Sequence, residues 1–382
     1  MNLQTKASLL VFGISAVIVS VSGRFCYTSH KEMIEGTRQT QLSFLTSYIN
    51  SDLQDLVGKA SARASLVCSL PSIQEAFRNG DRDQLARRLV PAFNIQRDKY
   101  GVREGQFHLP PATSFLRVFD LKAPQEDLSG FREMVLTTNR KQAPQKGVEI
   151  GRRGLSIRGI DLVKDDKGPI GSFEVGMSFT TLLTDIKATT GFEAGVFVDD
   201  KLMSSIATEI PRPSGDRIIG NYQAVDATDW EIIHAAVTPE SLAKVNDISS
   251  KTLTINGKEY GVVMLPLLDF KGKQIGSIVA ANNFEAYQAQ LKAALVEIVF
   301  SSLLEGIVMA GAMSILVNLM FVRPLKKLDA TLKQVAKGDP AADTAPLPHG
   351  ADELGSMAKS IEEVRGAQVK AAATETEVTA RR

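Results

Sequence analysis

The residues with most chemical capacity lie between His108 and Glu174. His108, Ser114, Arg117, Asp127, Arg132, Asn139, Glu149, Arg158 and Glu174 bring guanidiniums, carboxylates, an imidazole and neutral hydrogen-bonding groups into one stretch of chain. A guanidinium fork meets a carboxylate or phosphate through two parallel hydrogen bonds, so a small anion is the first partner these arginines suggest. Arg117, Arg132 and Arg158 could equally close an internal ion-pair network with Asp127, Glu149 and Glu174. Catalysis is not indicated: no nucleophile–base pairing, metal-ligand spacing or nucleotide-binding loop stands out, so the chain reads as a non-enzyme without a cofactor. The four histidines, His30, His108, His234 and His349, are too scattered for a metal or haem site. His349 lies between Pro348 and Gly350 and offers no helix face for phosphorylation.

The elements that must hold these groups are strands and a short helix. Arg117 and Arg158 fall in strand-like stretches at 115–119 and 155–160. Arg132 is expected on a short helix capped by Ser129. His108 precedes Leu109-Pro110-Pro111, read as a rigid extended segment. A duplication frames this region. Residues 165–179 (DDKGPIGSFEVGMSF) and 269–284 (DFKGKQIGSIVAANNF) share Asp-x-Lys-Gly, Ile-Gly-Ser and a Phe nine positions after the Ile. Each copy follows an apolar run, 157–163 or 262–268, and precedes a helix-like stretch. The local physics is a hairpin whose Gly takes a positive φ in the turn, while Gly171 and Gly276 allow close backbone approach. The spacing is too long for a solenoid, so two copies of one α+β module are expected, the second opening with Gly195-Val196-Phe197-Val198. Trp230 and Tyr222 of the second copy read as core.

Two uncharged apolar stretches, 7–23 and 306–322, enclose this region, the second extending back to Ile298 and broken by Glu305. Each approaches the ~20 residues needed to span a bilayer, with Glu305 expected near the outer interface. The alternative for the first stretch is a cleaved signal peptide, but Val21-Ser22-Gly23 is a poor cleavage site. Lys6 before the first span, and Arg323, Lys326, Lys327, Lys333 and Lys337 after the second, place both termini in the cytoplasm and the middle outside. The balance of 44 basic and 43 acidic residues gives no reason to expect nucleic-acid binding. From Met33 onward, Leu42, Leu45, Ile49, Leu53, Leu56 and Ala60 recur at helical spacing, predicting one long helix that ends before Pro71. At ~1.5 Å per residue that helix holds Cys26 and Cys68 about 60 Å apart, too far to pair within a chain. Cys26 is either a free thiol or a partner for Cys26 of a second subunit.

Arg323-Pro324 opens a helix with Leu325, Leu328, Leu332 and Val335 at i, i+3, i+7 and i+10, ending at Gly338-Asp339. A connector, 340–350, leads to a second helix at Asp352-Glu353-Leu354-Gly355, whose apolar positions are Leu354, Met357, Ile361 and Val364. Two such helix pairs, one from each chain of a homodimer, would make a parallel four-helix coiled coil.

This segment, with its Pro after the span, Gly-Asp after the first helix and Asp-Glu-Leu-Gly opening the second, resembles the HAMP linker of bacterial chemoreceptors and sensor kinases. Pro340 departs from that pattern, which usually has an aliphatic residue there; Leu347 is the expected connector anchor. The outer region, with its long helix, duplicated module and the phrases HLPPATSFLR, DLSGFR and GVEIGRRGLSIRG, resembles the third variety of double Cache sensor, found in methyl-accepting chemotaxis receptors. The resemblance implies an α+β architecture divided as 1–6 cytoplasmic, 7–23 first transmembrane helix, 24–70 long helix, 71–190 membrane-distal Cache module, 191–290 membrane-proximal Cache module, 298–322 second transmembrane helix, 323–369 HAMP linker and 370–382 a short tail. It places a small-molecule ligand in the distal module among His108, Ser114, Arg117, Asp127, Arg132, Arg158 and Glu174. It also implies a homodimer in the bacterial inner membrane, in contact with lipid and with cytoplasmic signalling proteins. Neither methylation helices nor a kinase core follows the linker, so a truncated receptor and a chain working through a separate output protein both stay open. The competing readings are the sensory half of a histidine kinase or cyclase and, from another class, a membrane-anchored enzyme.

Overall fold

The computed structural model describes residues 3–213, 215–245, 248–337, 339 and 352–380. The expected connector, with Pro340, Leu347 and His349, lies outside the described residues. The chain forms two compact units, Glu35–Ala289 and a second made of Met1–Ile34 with Gln290–Arg382.

Helix α1 runs without a break from Leu3 to Ser69. In the Glu35–Ala289 unit its apolar face buries Leu42, Leu45, Ile49, Leu56 and Ala60, and continues through Ala64 to Cys68. Leu53 is partly buried. Full burial of each large side chain stabilises the fold by roughly 1.5–3 kcal/mol. Helices α2 (Pro71–Arg78) and α3 (Arg82–Tyr100) follow, α3 being capped where the Asp81 carboxylate accepts from the Gln84 N–H. The first antiparallel sheet contains β1 (Val102–Leu109), β2 (Thr113–Arg117), β3 (Gln145–Gly151), β4 (Gly154–Asp165) and β5 (Gly168–Met177), in the order β2-β1-β5-β4-β3. Helix α4 (Glu133–Lys141) lies in the β2–β3 connection. The segment after His108 is a turn between β1 and β2, with a cis Pro110-Pro111 bond, rather than the expected extended rod.

After α5 (Phe179–Thr190) the second sheet begins at β6 (Glu193–Asp199). Then come α6 (Asp200–Ile206), β7 (Ile218–Ile219), β8 (Tyr222–Ala227), α7 (Trp230–Ala236), α8 (Pro239–Ala243), β9 (Ser249–Ile255), β10 (Lys258–Leu268) and β11 (Gln274–Asn283). Its order is β7-β8-β6-β11-β10-β9. Apart from β7, the two sheets share one strand order, and the duplicated phrases form equivalent hairpins, β4–β5 and β10–β11. A Cβ on Gly171 would lie 2.5 Å from the His108 carbonyl oxygen on β1; one on Gly276 would collide with the Phe197 carbonyl oxygen on β6. Both glycines therefore permit the central strands to approach. One apolar core joins α1, α2, α3 and one face of each sheet, while Trp230 and Tyr222 pack partly buried against a second cluster around Phe197 and Ile233.

Helix α9 (Glu285–Val317), which belongs to the other unit from Gln290 onward, passes through a π-helical turn (Asn318–Val322) into α10 (Arg323–Ala336), with Pro324 in its first turn. Two helical segments, Ser8–Ser69 and Glu285–Ala336, are long and apolar enough to cross a membrane, with windows of mean hydropathy 2.0 and 1.9. Helix α11 (Glu353–Ala380) begins where the Asp352 carboxylate accepts from the Gly355 N–H, and it extends through most of the expected tail. Leu328 and Val335 pack on Ala358 and Ile361, with Leu325 and Leu354 partly buried beside them. Three of the expected seam residues, Leu332, Met357 and Val364, are exposed in the single chain, while Thr331 takes a buried place not assigned to it.

Candidate functional site

Strand alternation sorts the first sheet into two faces. Gly105, Phe107, Phe173 and Val175 turn toward the apolar core. Glu104, Gln106 and His108 on β1, Ser156 and Arg158 on β4, and Ser172 and Glu174 on β5 occupy the other face, all buried. Glu149 of β3 sits opposite Ser156 and so shares that face. Ile160 and Leu162, opposite Glu174 and Ser172, are apolar members of the same face, but so many water-excluded polar groups are costly unless they satisfy one another.

Most of them do. Arg158 Nη1 lies 3.0 Å from Glu104 Oε2 and 3.0 Å from Glu174 Oε1. Arg132, entering from the residue before α4, donates from Nε to Glu149 Oε2 at 2.8 Å and pairs through both terminal nitrogens with Glu174. The other Glu149 oxygen accepts from the Met134 N–H at 2.7 Å, tying β3 to the N-terminus of α4. Ser156 Oγ donates to Glu104 at 2.8 Å. Burial raises the pKa of Glu174, but Arg132 and Arg158 outweigh it and hold the carboxyl down at about 2. Burial is likewise outweighed at Glu104, chiefly by Arg158, leaving its pKa below the usual range. The core of the cluster therefore sets three carboxylates against two guanidiniums.

His108 is the exception. Its Nδ1 lies 3.3 Å from Ser172 Oγ, but the fully buried Nε2 has no hydrogen-bond partner and stands 4.0 Å from Glu174 Oε1. Burial lowers its pKa to about 3, so the ring is neutral.

The structure brings His108, Ser114, Arg132, Arg158 and Glu174 onto this face, Ser114 accepting from Gln106 Nε2 at 2.8 Å. Arg117 sits at its edge in a separate network, 2.5 Å from Glu126 and 2.8 Å from Glu209, with Arg152 also bonded to Glu126. Asp127 is not part of the face. It is exposed, and its carboxylate accepts from the Ser129 N–H in a local turn. Ser129 does not cap α4, which begins only at Glu133; Arg132 holds the cap position without a side-chain capping bond. Asn139 donates to the Pro111 carbonyl outside the cluster. Glu104, Gln106, Ser156 and Ser172 were missed. Their signal was a polar residue at every second position of otherwise apolar strands.

The turn of the second duplicated phrase reaches this site. Phe270, at the tip of the β10–β11 hairpin, donates its N–H to the Val148 carbonyl at 3.0 Å. Its ring packs partly buried against the cluster of Leu128, Met134, Val135 and Ile160. Lys271 Nζ lies 2.7 Å from Glu133 Oε1 in the first turn of α4. The segments carrying Arg132 and Glu149 thus also hold the tip of the second sheet's central hairpin.

Comparison with known proteins gives one family and a set of distant structures. Residues 38–287 match dCache_3, described as a double sensory domain of two-component sensor kinase. No curated protein matches the chain. The extracellular domain of a protein assigned as histidine kinase vpHK1S-Z8 shares 11% identity, covering 69% of this chain and 96% of that one, with a TM-score of 0.42. The domain of a sensory box/GGDEF family protein from Vibrio parahaemolyticus shares 11%, covering 67% and 99%, at 0.43. The ligand-binding domain of the Campylobacter jejuni chemoreceptor Tlp3, solved with L-valine, shares 13%, covering 69% and 98%, at 0.41.

Proposed function

The chain belongs to the dCache_3 family of double sensory domains, and on that premise we propose that it is a transmembrane sensor of an extracytoplasmic small molecule, with no catalytic activity of its own. The ligand is taken up against the polar face of the first sheet, in the membrane-distal module (71–190). The observation carrying this reading is His108, whose buried Nε2 lacks a partner beside a cluster with more carboxylates than guanidiniums. That charge balance favours a ligand with a positively charged group. A small anion, which the arginines alone suggest, would have to displace carboxylates already paired with them.

Occupancy would move α4, whose N-terminus is bonded to Glu149 and whose first turns pack against Phe270. The β10–β11 hairpin carries that shift through the proximal module (191–290), and β11 leads by Phe284 into α9 and the second span, 298–322. Two packings of a HAMP-like relay (323–369), paired between the chains of a homodimer, would then exchange populations. The basic residues after the second span support cytoplasmic termini and a periplasmic sensor region. A chemotaxis output through cytoplasmic signalling proteins is the first reading. The family's description favours a second, the sensory half of a histidine kinase.

The test is thermal-shift screening of the full chain in lipid nanodiscs against small metabolites, amines and anions included. Amine-bearing compounds are expected to stabilise it, with the effect lost in His108→Asn and kept in Arg117→Ala, whose guanidinium pairs outside the cluster. Hits that stabilise folded His108→Asn as well as the parent would remove this face as the ligand site.

A further inference from the structure

The opposite face of the same sheet carries an apolar cleft that the sensor reading does not use. It has a volume of about 160 Å³ and lies between α1, α3 and the sheet, lined by Val67, Leu89, Phe93, Phe173 and Val175. A cavity of about 150 Å³ with such a lining accommodates benzene. Leu66 also lines the cleft yet is 64% exposed, and Ala92 is exposed beside it, so the cleft opens to solvent.

Two charged residues border this apolar space, Arg63 and Glu104, and the Glu104 carboxylate is already engaged by Arg158 and Ser156. Arg63 of α1 donates from Nε to Gln96 Oε1 at 2.8 Å, has Nη1 3.9 Å from Met177 Sδ, and lies 5.8 Å from the Tyr100 ring centre. Among the described residues no carboxylate stands within ion-pair distance of it. Its surroundings contrast with those of Arg117, Arg132 and Arg158, each matched by two carboxylates. A half-buried guanidinium facing neutral groups retains capacity for an anion, which it binds best as a planar carboxylate.

We propose that this cleft is a second ligand site, for a small carboxylate with an apolar body of about benzene size, the body against Phe93 and Phe173 and the carboxylate on Arg63. The site goes beyond the sensor reading and does not depend on it, since alternation along β5 puts Phe173 and Val175 on one face and Ser172 and Glu174 on the other. Arg63 and Val67 belong to α1, which runs unbroken back to Leu3, so an occupant would bear directly on that helix.

The probes are sodium benzoate and neutral benzyl alcohol, titrated calorimetrically against the full chain in nanodiscs. Benzoate is expected to bind at one site per chain. Arg63→Met, which keeps an apolar stem, should weaken benzoate about ten-fold or more while leaving benzyl alcohol within about two-fold. Ala92→Leu, on an exposed helical position where the fold tolerates Leu, should abolish both. Circular dichroism and an unchanged melting temperature certify folding of each variant. No benzoate binding at millimolar concentration, or binding that survives both substitutions, would overturn the proposal. So would benzoate binding lost in His108→Asn but kept in Ala92→Leu, which would assign it to the polar face. Capture of a second chain by Leu66→Cys in a Cys26→Ser background under oxidation, with benzoate unable to compete, would overturn it in favour of a subunit contact.

Discussion

His108 ties acid stability to the polar face. Folded, its imidazole is held neutral by burial with a pKa near 3; unfolded, it returns to its ordinary value of 6.5. Between those values the unfolded chain binds a proton that the folded chain refuses. Stability contributed by this group therefore falls as pH is lowered through that window, by up to ~1.4 kcal/mol per pH unit. Glu174 acts in the same direction at lower pH. Its depressed pKa gives stability present above the unfolded value of 4.5 and lost as pH falls toward 2. A comparison of pH 7 with pH 5 thus isolates the histidine from Glu174. His108→Asn retains a hydrogen-bonding group for Ser172 and cannot take up the proton, so its melting temperature is expected to drop less between those two pH values than the parent's. Equal drops in the two proteins would mean that the ring is not buried in its neutral form. The arginines of the cluster are held differently. Removing one partner from a fully buried pair costs about 3–5 kcal/mol, whereas Arg117 pairs with half-exposed carboxylates and is worth far less.

Among the elements, the contact of α1 with β4 sets the geometry of the first sheet. A Cβ on Gly159 would run into the backbone of Ala60 and Ser61, so α1 lies directly on β4 at that point. Gly159→Ala must push the helix away, and a loss of at least ~2–3 kcal/mol is expected, read as a lowered melting temperature and faster amide exchange along 56–64. Gly58, on the same helix, has open space where a Cβ would stand, with nothing within 4 Å. Gly58→Ala should raise stability by up to ~1 kcal/mol through helix propensity. Equal effects of the two substitutions would contradict the close approach. This pair also marks what the sequence made legible. The buried face of α1 followed from 3.6-residue spacing, and the two hairpins from their duplicated turns, because those signals are local. The partners of Arg117 were not legible. Glu209 lies 92 positions away, and only the docking of the two sheets brings it near. Ser129 does not cap because α4 starts four residues later, at Glu133, after a turn in which the Phe131 and Arg132 N–H groups donate to the Leu128 carbonyl. Arg132 and Glu149 were singled out, but Glu104 was passed over, since a carboxylate alternating with Gly105 and Phe107 reads as a solvated edge until the sheet is seen to be covered.

At the scale of the whole molecule, the helices after the second candidate span leave apolar heptad positions exposed. Helix α10 has 14 residues, and its contact with α11 rests on Leu328, Val335, Ala358 and Ile361. Helices this short are marginal in water without further packing. Leu332, Met357 and Val364 remain 48%, 51% and 50% exposed, although they share the heptad spacing of the buried positions. Covering the exposed half of each would contribute about 0.7–1.5 kcal/mol, and a second copy supplies the same apolar spacing with no new partner required. The expectation is a parallel dimer in which these three residues line the shared seam. Single cysteines at Leu332 or Met357, in a Cys26→Ser background, should give disulfide-linked dimers when membranes are oxidised. Cys68 will not interfere: it is buried, burial raises its pKa, and its thiol donates to the Asp161 carbonyl. Lys333 is the control, 70% exposed and paired with Asp329 on the outer side of α10. If Lys333→Cys cross-links as readily as Leu332→Cys, the heptad seam is not the dimer contact, and the population shift assigned to this relay has no bistable element to act on.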